Sequence, residues 1–474
     1  MNGTIYRQRE VKSESGGVLP VGEDTLPLAT EHLLLVADGL GGTGGFPHQR
    51  INPDILEKDR FLATAYEGVF SDATPDEIKR YTVEAFSELF ALRDLYFSSY
   101  KYAKRSGYFA SRIAASLLLN EVLSGGEQGI VELLKRFQEA PLSERAAFET
   151  ETGERYVRCI SDGMRQVAQK ANLIYESKSS GMALLPTTIS LTLCAPRENC
   201  LDALFAWAGD SRGYVWNSDG LMQATADHES AEVMTNIISL RAPFYISCKF
   251  MTLAQPCVVF NASDGCFDCF TAPIDFEYFL LDALTRAESM DAFLESARAF
   301  FAANSSDDSS TLALGTFGYA DFAALRKAAQ ERLDRMRETY VDPLPDIFTR
   351  DYTAELQQQE KRYRAKATEA KDLCGALPEV IAYCAGAAAS RKKTDGSHDL
   401  AADSAAYWQA NYPDVIEHML TGGLFAADQK TRVEAIVADD LEKLRALRAA
   451  YAQREKLYEA YESGYGALIR EEKI

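Results

Sequence analysis

Two things that the sequence lacks narrow the class of protein. It has no apolar run of the roughly 20 residues that a membrane-spanning helix needs, and its first residues are polar and charged, unlike a signal peptide. It is also poor in positive charge, because 50 Lys and Arg residues stand against 70 Asp and Glu residues, a net charge of −20. This balance argues against nucleic acid or an anionic membrane surface as the main partner. We therefore expect a cytoplasmic protein with no membrane and no nucleic-acid partner.

Residues that build zinc sites and disulfide frameworks are also scarce or badly spaced. The chain has 5 histidines and 9 cysteines, and the odd number and irregular spacing of the cysteines do not fit a disulfide framework. Cys266-Phe-Asp-Cys269 is a lone CxxC, whereas a structural zinc site needs a second pair or nearby histidines. We interpret the cysteines as reduced and mostly buried small residues.

The composition, 47% hydrophobic and 25% charged, is typical of a globular protein. The length of 474 residues is enough for two or three domains. Residues 1–30 look irregular, and residues 46–105 look like a helical insertion. Apolar periodicity predicts helices at about 107–123, 128–139, 154–177 and 271–303, and strands at 32–37, 187–194, 201–210, 213–220, 256–265 and 310–317. We therefore expect a first domain, residues 1–318, of helices interleaved with mostly antiparallel strands.

From about residue 320 the pattern is almost wholly helical, which predicts a second, all-α region over residues 319–474. Its last helix, near 427–463, carries a single apolar seam that includes Val433, Val437 and Leu441. The seam covers less than three heptads, so it fits a local helical bundle as well as a coiled-coil dimer.

Acidic residues recur where apolar strands of the first domain meet turns. Asp38, Asp210, Asp264 and the pair Asp307-Asp308 all occupy such positions, and Glu23-Asp24 precedes the first of these strands. One Asp-Gly pair is usually only a turn, but several carboxylates brought together repel one another unless a cation holds them. Their recurrence therefore indicates one or two bound Mg²⁺ or Mn²⁺ ions in an oxygen-rich site.

The order of these motifs resembles one known family. The matching segments are Glu23-Asp24, VADGLGG at 36–42, SGYFASRIAASLLL, Ala171-Asn172-Leu173-Ile174, PTTISLTL, WAGDSRGYVW, Asp227-His228 after Gln-Ala-Thr-Ala, NASDGCFD and DDSST. Together they resemble the metal-dependent Ser/Thr protein phosphatases of type 2C, in a bacterial-like form with an added helical C-terminal region. The resemblance covers about residues 15–317 apart from 46–105. It implies an α+β fold in which two packed antiparallel sheets are flanked by helices, an α-β-β-α sandwich.

The resemblance also implies roles for individual residues. Asp38 would bridge two Mn²⁺ or Mg²⁺ ions, the Gly39 carbonyl would bind one of them, and Asp264 and Asp308 would complete the other. Glu23 would hold a metal-bound water as part of the catalytic machinery, and Asp210 would help to bind a weaker third ion. A hydroxide that bridges the two ions would then attack the phosphorus of phosphoserine or phosphothreonine in a protein substrate.

One departure from the family concerns the phosphate. The family usually has an arginine four residues before the Glu-Asp pair, where this chain has Leu19, and Arg7, Arg9, Arg50 and Arg112 are alternative replacements. This keeps open a second function: a catalytically weak, phosphatase-like binding or scaffold module that acts through its helical C-terminal region. Those helices fit equally well a packing role on the first domain and the docking of a protein partner.

Overall fold

The computed structural model describes residues 1–7, 10–12, 18–20, 22–40, 107–170, 185–230, 233–240, 242–304, 308–390 and 400–470. The insertion expected at 46–105 and residues Arg9, Arg50 and Asp307 lie outside these ranges. The strands are β1 (Asn2–Arg7), β2 (Glu10–Lys12), β3 (Val18–Pro20), β4 (Leu28–Ala29), β5 (Leu33–Val36), β6 (Ile189–Pro196), β7 (Cys200–Ala208), β8 (Arg212–Asn217), β9 (Gly220–Gln223), β10 (Glu229–Ser230), β11 (Val233–Met234), β12 (Ser247–Ala254), β13 (Cys257–Ala262) and β14 (Ser310–Phe317). The α-helices are α1 (Gly107–Val122), α2 (Gly126–Glu139), α3 (Leu142–Lys170), α4 (Pro273–Arg286), α5 (Met290–Asn304), α6 (Phe322–Met336), α7 (Tyr352–Gly375), α8 (Pro378–Ser390), α9 (Leu400–Thr421) and α10 (Ala427–Arg470).

Two antiparallel five-stranded sheets form the centre of the first part of the chain. Their strand orders are β1-β14-β13-β8-β9 and β12-β7-β6-β5-β4. An apolar cluster that includes Phe205, Val215 and Val259 lies between the sheets, and a second cluster packs α1, α2 and α3 on the outer face of the β12-to-β4 sheet. On the outer face of the other sheet, Leu280 and Leu284 of α4 line a cavity together with Trp216 of β8. The predicted α+β sandwich is therefore confirmed.

The run Leu33-Leu34-Leu35-Val36 shows how the sequence fixes this arrangement. All four side chains of β5 are buried, which requires cover on both faces of the strand. Leu33 and Leu35 belong to the cluster under the helices, and Leu34 and Val36 belong to the cluster between the sheets. Because side chains alternate along a strand, the same parity directs Asp38 toward the space between the two sheets.

The expectation that residues 1–30 are irregular is wrong for the first of them. Residues Asn2–Arg7 form β1, which pairs antiparallel with β14, from Asn2 opposite Gly315 to Arg7 opposite Ser310. Strand β12 was also not predicted. Both are edge strands of their sheets, and of the eight residues of β12 only Phe250 and Leu253 are buried. An edge strand needs no continuous apolar run, which is the signal used for the central strands.

The helix expected at 154–177 begins earlier. Helix α3 starts at Leu142, and residues 171–184 lie outside the described part of the chain. The first turns of α3 were missed because they are mostly solvent-exposed and carry few apolar residues, so the apolar period becomes visible only further along the helix.

The chain divides into two compact units, Met1–Met336 with Glu462–Ile474, and Arg337–Tyr461. In the second unit, α7, α8, α9 and α10 share an apolar cluster that includes Val433, Val437, Leu441 and Leu444. The seam of the last helix is therefore used within a local bundle. Within the described ranges no single helix is long and apolar enough to cross a membrane, and one bent pair, α7 with α8 at 103°, passes that test only when the two helices are combined.

A buried ion pair attaches α6 to α4 within the first unit. Arg332 Nε and Nη2 donate to the two carboxylate oxygens of Glu277 at 2.8 and 3.0 Å, and Glu277 is fully buried. We expect Arg332→Met to destabilise this unit by about 3 kcal/mol, because it leaves a buried carboxylate without its guanidinium. Urea unfolding of the full chain measures the change.

The control for this prediction is Lys327→Met on the same helix. Lys327 forms an exposed pair with Glu331 at 3.9 Å, and exposed pairs contribute little. The double variant Glu277→Leu/Arg332→Leu is expected to recover most of the loss. Equal effects of the Arg332 and Lys327 variants would contradict the prediction.

Candidate metal centre

Three aspartates from distant parts of the sequence meet at one end of the sandwich. Carboxylate oxygens of Asp38, Asp264 and Asp308 all lie within 4.8 Å of one another. Asp38 follows β5, Asp264 opens the short 3₁₀ turn after β13, and Asp308 lies just before β14. Strands β13 and β14 are antiparallel neighbours, so the end of one and the start of the next fall at the same edge. The fold thus brings together three acids that are far apart in the sequence.

The glycines beside two of these acids are required by close contact between backbones. A Cβ atom on Gly39 would lie 2.2 Å from the carbonyl oxygen of Gly107 at the start of α1. A Cβ atom on Gly265 would lie 2.0 Å from the carbonyl oxygen of Ser309. Any larger side chain would force these segments apart. Each Asp-Gly pair therefore supplies a carboxylate together with the close approach that brings the neighbouring segment to it.

Asp24 is a further acid of the cluster to which the sequence reasoning gave no role. It is fully buried, interacts with Asp38, and its Oδ2 accepts a hydrogen bond from Thr311 Oγ1. Thr311 is fixed in turn, because its backbone N–H donates to Ser263 Oγ at 3.0 Å. The sequence signal that could have identified Asp24 is the Glu23-Asp24 pair. Only Glu23 of that pair was given a role in the sequence analysis.

The electrostatics of the cluster are those of acids that need a cation. Burial, followed by the charges of Asp24, Asp264 and Asp308, raises the pKa of Asp38. Burial and the neighbouring Asp264 raise the pKa of Asp308 to about 8. Burial also raises the pKa of Asp24 to about 6, although its hydrogen bonds oppose the shift. Without a positive charge nearby, burial and mutual repulsion both make the ionised form of this cluster unfavourable.

The donor set fits a hard divalent cation. Mg²⁺ and Mn²⁺ prefer carboxylate, carbonyl and water oxygens, and this site supplies oxygens from at least three carboxylates. In the described part of the chain, Asp24 Oδ1 and Asp210 Oδ1 are also buried without a hydrogen-bond partner. A buried acceptor left unsatisfied is costly, and a nearby cation or its bound water would satisfy it.

Asp210 and Glu23 lie at the border of the cluster rather than in the trio. Asp210 follows Gly209, whose φ of 93° only glycine adopts readily, and burial together with the charge of Asp264 raises the pKa of Asp210 to about 7. Glu23 is partly buried, and its charge contributes to the raised pKa of Asp308. Both acids are therefore close enough to the trio to interact with its members.

Hydroxyl and guanidinium groups next to the acids fix the local backbone. Thr187 Oγ1 and the Thr188 backbone N–H both donate to the backbone carbonyl of Asp38, at 2.6 and 2.8 Å. The Thr188 hydroxyl lies 2.6 Å from that of Ser211. Arg212 forms a bidentate ion pair with Asp227. These contacts fix the backbone that carries Asp38 and Asp210.

Two of the four candidate arginines lie in the described ranges, and both are close to the centre. Arg7, at the end of β1, donates from Nη1 to the backbone carbonyl of Asp308 at 2.5 Å. Arg112 of α1 is 1% exposed and donates to the backbone carbonyl of Glu23 at 3.4 Å. Arg7 is partly exposed, so of the two it is the one that a ligand arriving from solvent can reach.

No family profile matches the sequence, and no curated protein is similar to it in sequence. Among solved structures, the chain is similar to the catalytic domain of the serine/threonine phosphatase PstP in complex with two manganese ions, at 16% identity and a TM-score of 0.33, covering 66% of this chain and 98% of that one. It is also similar to a bacterial serine phosphatase (16% identity, TM-score 0.35, 67% and 98% covered). A third is the PPM Ser-Thr phosphatase MsPP from Mycobacterium smegmatis in complex with cacodylate (14% identity, TM-score 0.33, 67% and 98% covered). All three of these solved structures are of phosphatases.

Proposed function

We propose that this protein is a metal-dependent phosphoprotein phosphatase that hydrolyses phosphoserine and phosphothreonine. The observation that carries the proposal is the trio Asp38, Asp264 and Asp308, whose carboxylate oxygens lie within 4.8 Å of one another at the meeting point of three separate chain segments. The cost of burying these acids together is accounted for if they hold divalent cations.

The residues of the site would act mainly by holding and orienting. Asp38 would bridge two Mn²⁺ or Mg²⁺ ions with the help of the Gly39 carbonyl, and Asp264 and Asp308 would hold one of the two. When bound, such ions supply an activated water and offset charge on the phosphoryl oxygens. Glu23 would orient water at the rim of the site, and Asp210 would serve a third, weaker ion. The hydrogen bonds that Thr187 and Thr188 donate to the Asp38 carbonyl hold the backbone from which its carboxylate projects.

The experiment is hydrolysis of p-nitrophenyl phosphate and of a phosphoserine peptide by the full chain, with Mn²⁺, with Mg²⁺ and with EDTA. We expect turnover that requires a divalent cation and is lost with EDTA. Absence of turnover under every metal condition, combined with retained binding of the phosphopeptide, would instead support the alternative of a phosphatase-like binding module.

We also propose that Arg7 provides the positive charge that contacts the substrate phosphate in place of the arginine missing at Leu19. Arg7 is already bonded to the loop of Asp308, so its guanidinium is at the edge of the acidic cluster. We expect Arg7→Met to raise the KM for a phosphopeptide about tenfold, since a charge-assisted hydrogen bond to phosphate is lost. Steady-state kinetics at saturating Mn²⁺ measure this effect.

Arg7→Lys separates charge from geometry, because lysine keeps the charge and loses the planar fork. It is expected to fall between the wild type and Arg7→Met. The apparent affinity for Mn²⁺ should be the same in all three proteins. A shift in Mn²⁺ affinity as large as the shift in KM would mean that Arg7 supports Asp308 and does not contact phosphate.

A further inference from the structure

An open groove lies between the first half of α3 and the segment that leads into β12. Its cavity volume is about 670 Å³. One wall is aromatic, formed by Trp207, Phe244 and Tyr245, and the α3 side carries the acids Glu149 and Glu154. Tyr245 is 53% exposed, so its ring is available to a ligand. None of these residues takes part in the metal centre described above.

A chain of contacts links this groove to the rim of the acidic cluster. The ring of Tyr245 meets the ring of His228 edge-on at 4.8 Å, and His228 stacks on Trp207 at 5.8 Å. His228 Nδ1 accepts a hydrogen bond from the Gly209 backbone N–H at 3.1 Å, and Gly209 directly precedes Asp210. Through His228, the groove therefore contacts the backbone that carries Asp210 at the border of the acidic cluster.

The chemistry of the walls favours a positively charged side chain with an apolar stem. Aromatic faces attract guanidinium and ammonium groups, and carboxylates add charge complementarity. Of the charged residues that line the groove, two are acids and one is a base, Arg158, which pairs with Glu154 at 3.7 Å. Glu149 Oε1 accepts a hydrogen bond from the Phe250 backbone N–H, which fixes the carboxylate in the groove.

We infer that this groove selects phosphoprotein substrates by binding an arginine side chain near the phosphorylated residue. The inference rests on the proposed phosphatase function and adds a substrate class to it. Trp207 and Asp210 are three positions apart in the sequence, a span of at most about 10 Å, and an extended peptide advances about 3.3 Å per residue. The arginine would therefore lie roughly two to five residues from the phosphoserine.

The test compares phosphoserine peptides that carry arginine, alanine or glutamate at these positions, with p-nitrophenyl phosphate as a substrate that does not reach the groove. For the wild type we expect kcat/KM to be about fivefold higher for the best arginine peptide than for its alanine counterpart. Tyr245→Ala and Glu154→Gln should each reduce that preference by at least about half, and leave hydrolysis of p-nitrophenyl phosphate unchanged.

The matched control is Asp162→Asn. Asp162 is also an exposed acid of α3 paired with an arginine, Arg165 at 2.8 Å, but it does not line the groove. It is expected to leave the arginine preference intact. Normal hydrolysis of p-nitrophenyl phosphate with no arginine preference, or with a preference that survives both groove variants, would overturn the inference and leave the phosphatase proposal standing.

A second measurement does not need turnover. Peptide binding to the full chain in EDTA, measured by isothermal titration calorimetry, should saturate with the arginine peptide and be weakened by Tyr245→Ala but not by Asp162→Asn. Equal binding of the arginine and glutamate peptides would overturn the inference even if the chain hydrolyses no phosphate. A chain that binds the arginine peptide selectively but hydrolyses nothing would support the groove and contradict the phosphatase proposal.

Discussion

Asp38→Asn is expected to reduce Mn²⁺-dependent hydrolysis of p-nitrophenyl phosphate by about a thousandfold, a loss comparable to removal of a principal stabilising group from an active site. Asp38 is the acid whose pKa is raised by the charges of three other aspartates, Asp24, Asp264 and Asp308, in addition to burial. The substitution removes one negative charge and one strong metal ligand while keeping the shape of the side chain. The apparent affinity for Mn²⁺, measured in the same titration, should fall together with the rate.

The matched control for this variant is Asp219→Asn. Asp219-Gly220 is also an Asp-Gly pair, but Asp219 is exposed at the turn between β8 and β9. It should keep full activity and full Mn²⁺ affinity. The backbone contacts of Thr187 and Thr188 to the Asp38 carbonyl do not depend on the side chain, so Asp38→Asn is expected to fold. Undiminished Mn²⁺-dependent turnover in a folded Asp38→Asn protein would contradict the proposed role.

The convergence of these acids was predictable because each leaves a local signature in the sequence. Leu33-Leu34-Leu35-Val36 is a strand buried on both faces, and the parity of that strand directs Asp38 between the sheets. Asp264 and Asp308 likewise lie next to the apolar strands β13 and β14. In each case burying a carboxylate at the end of an apolar strand costs free energy, and a turn alone does not need a buried acid. This mismatch can be seen in the sequence before the fold is known.

The features that were missed depend on pairing across long sequence distances. Strand β1 is recognisable only because β14, about 310 residues later, offers it an edge, as in the pair Ile5 and Leu312. The burial of Asp24 follows from its bond to Thr311, which is 287 residues away. The groove beside Tyr245 similarly requires α3 and β12 to be neighbours. Such contacts have no local period, so sequence patterns cannot report them.

The acids that would bind metal also destabilise the metal-free fold when they are ionised. Four carboxyls near the sandwich end, those of Asp24, Asp38, Asp210 and Asp308, have raised pKa values in the metal-free protein, mainly through burial. In the unfolded chain an aspartate loses its proton near pH about 4. Between that pH and about 8, these four carboxyls therefore hold more protons in the folded protein than in the unfolded chain. Their contribution to the free energy of unfolding falls as the pH rises through this window.

Mn²⁺ is expected to reverse this trend, because it binds the deprotonated carboxylates and competes with their protons. At a concentration about 100-fold above its Kd, the ion adds about 2.7 kcal/mol, or roughly 5 °C in the thermal midpoint of the first unit. This shift should be larger at pH about 8 than at pH about 6.

Asp38→Asn without metal should be more stable than the metal-free wild type at the higher pH, since it removes one buried charge, and should respond little to Mn²⁺. Thermal unfolding of both proteins, each with Mn²⁺ and with EDTA, measures these stabilities across the pH range. Titrations elsewhere in the chain cancel when the stability of Asp38→Asn is subtracted from that of the wild type. A metal-free wild type that gains stability relative to Asp38→Asn as the pH rises would show that these acids do not form the repulsive, cation-binding group described here.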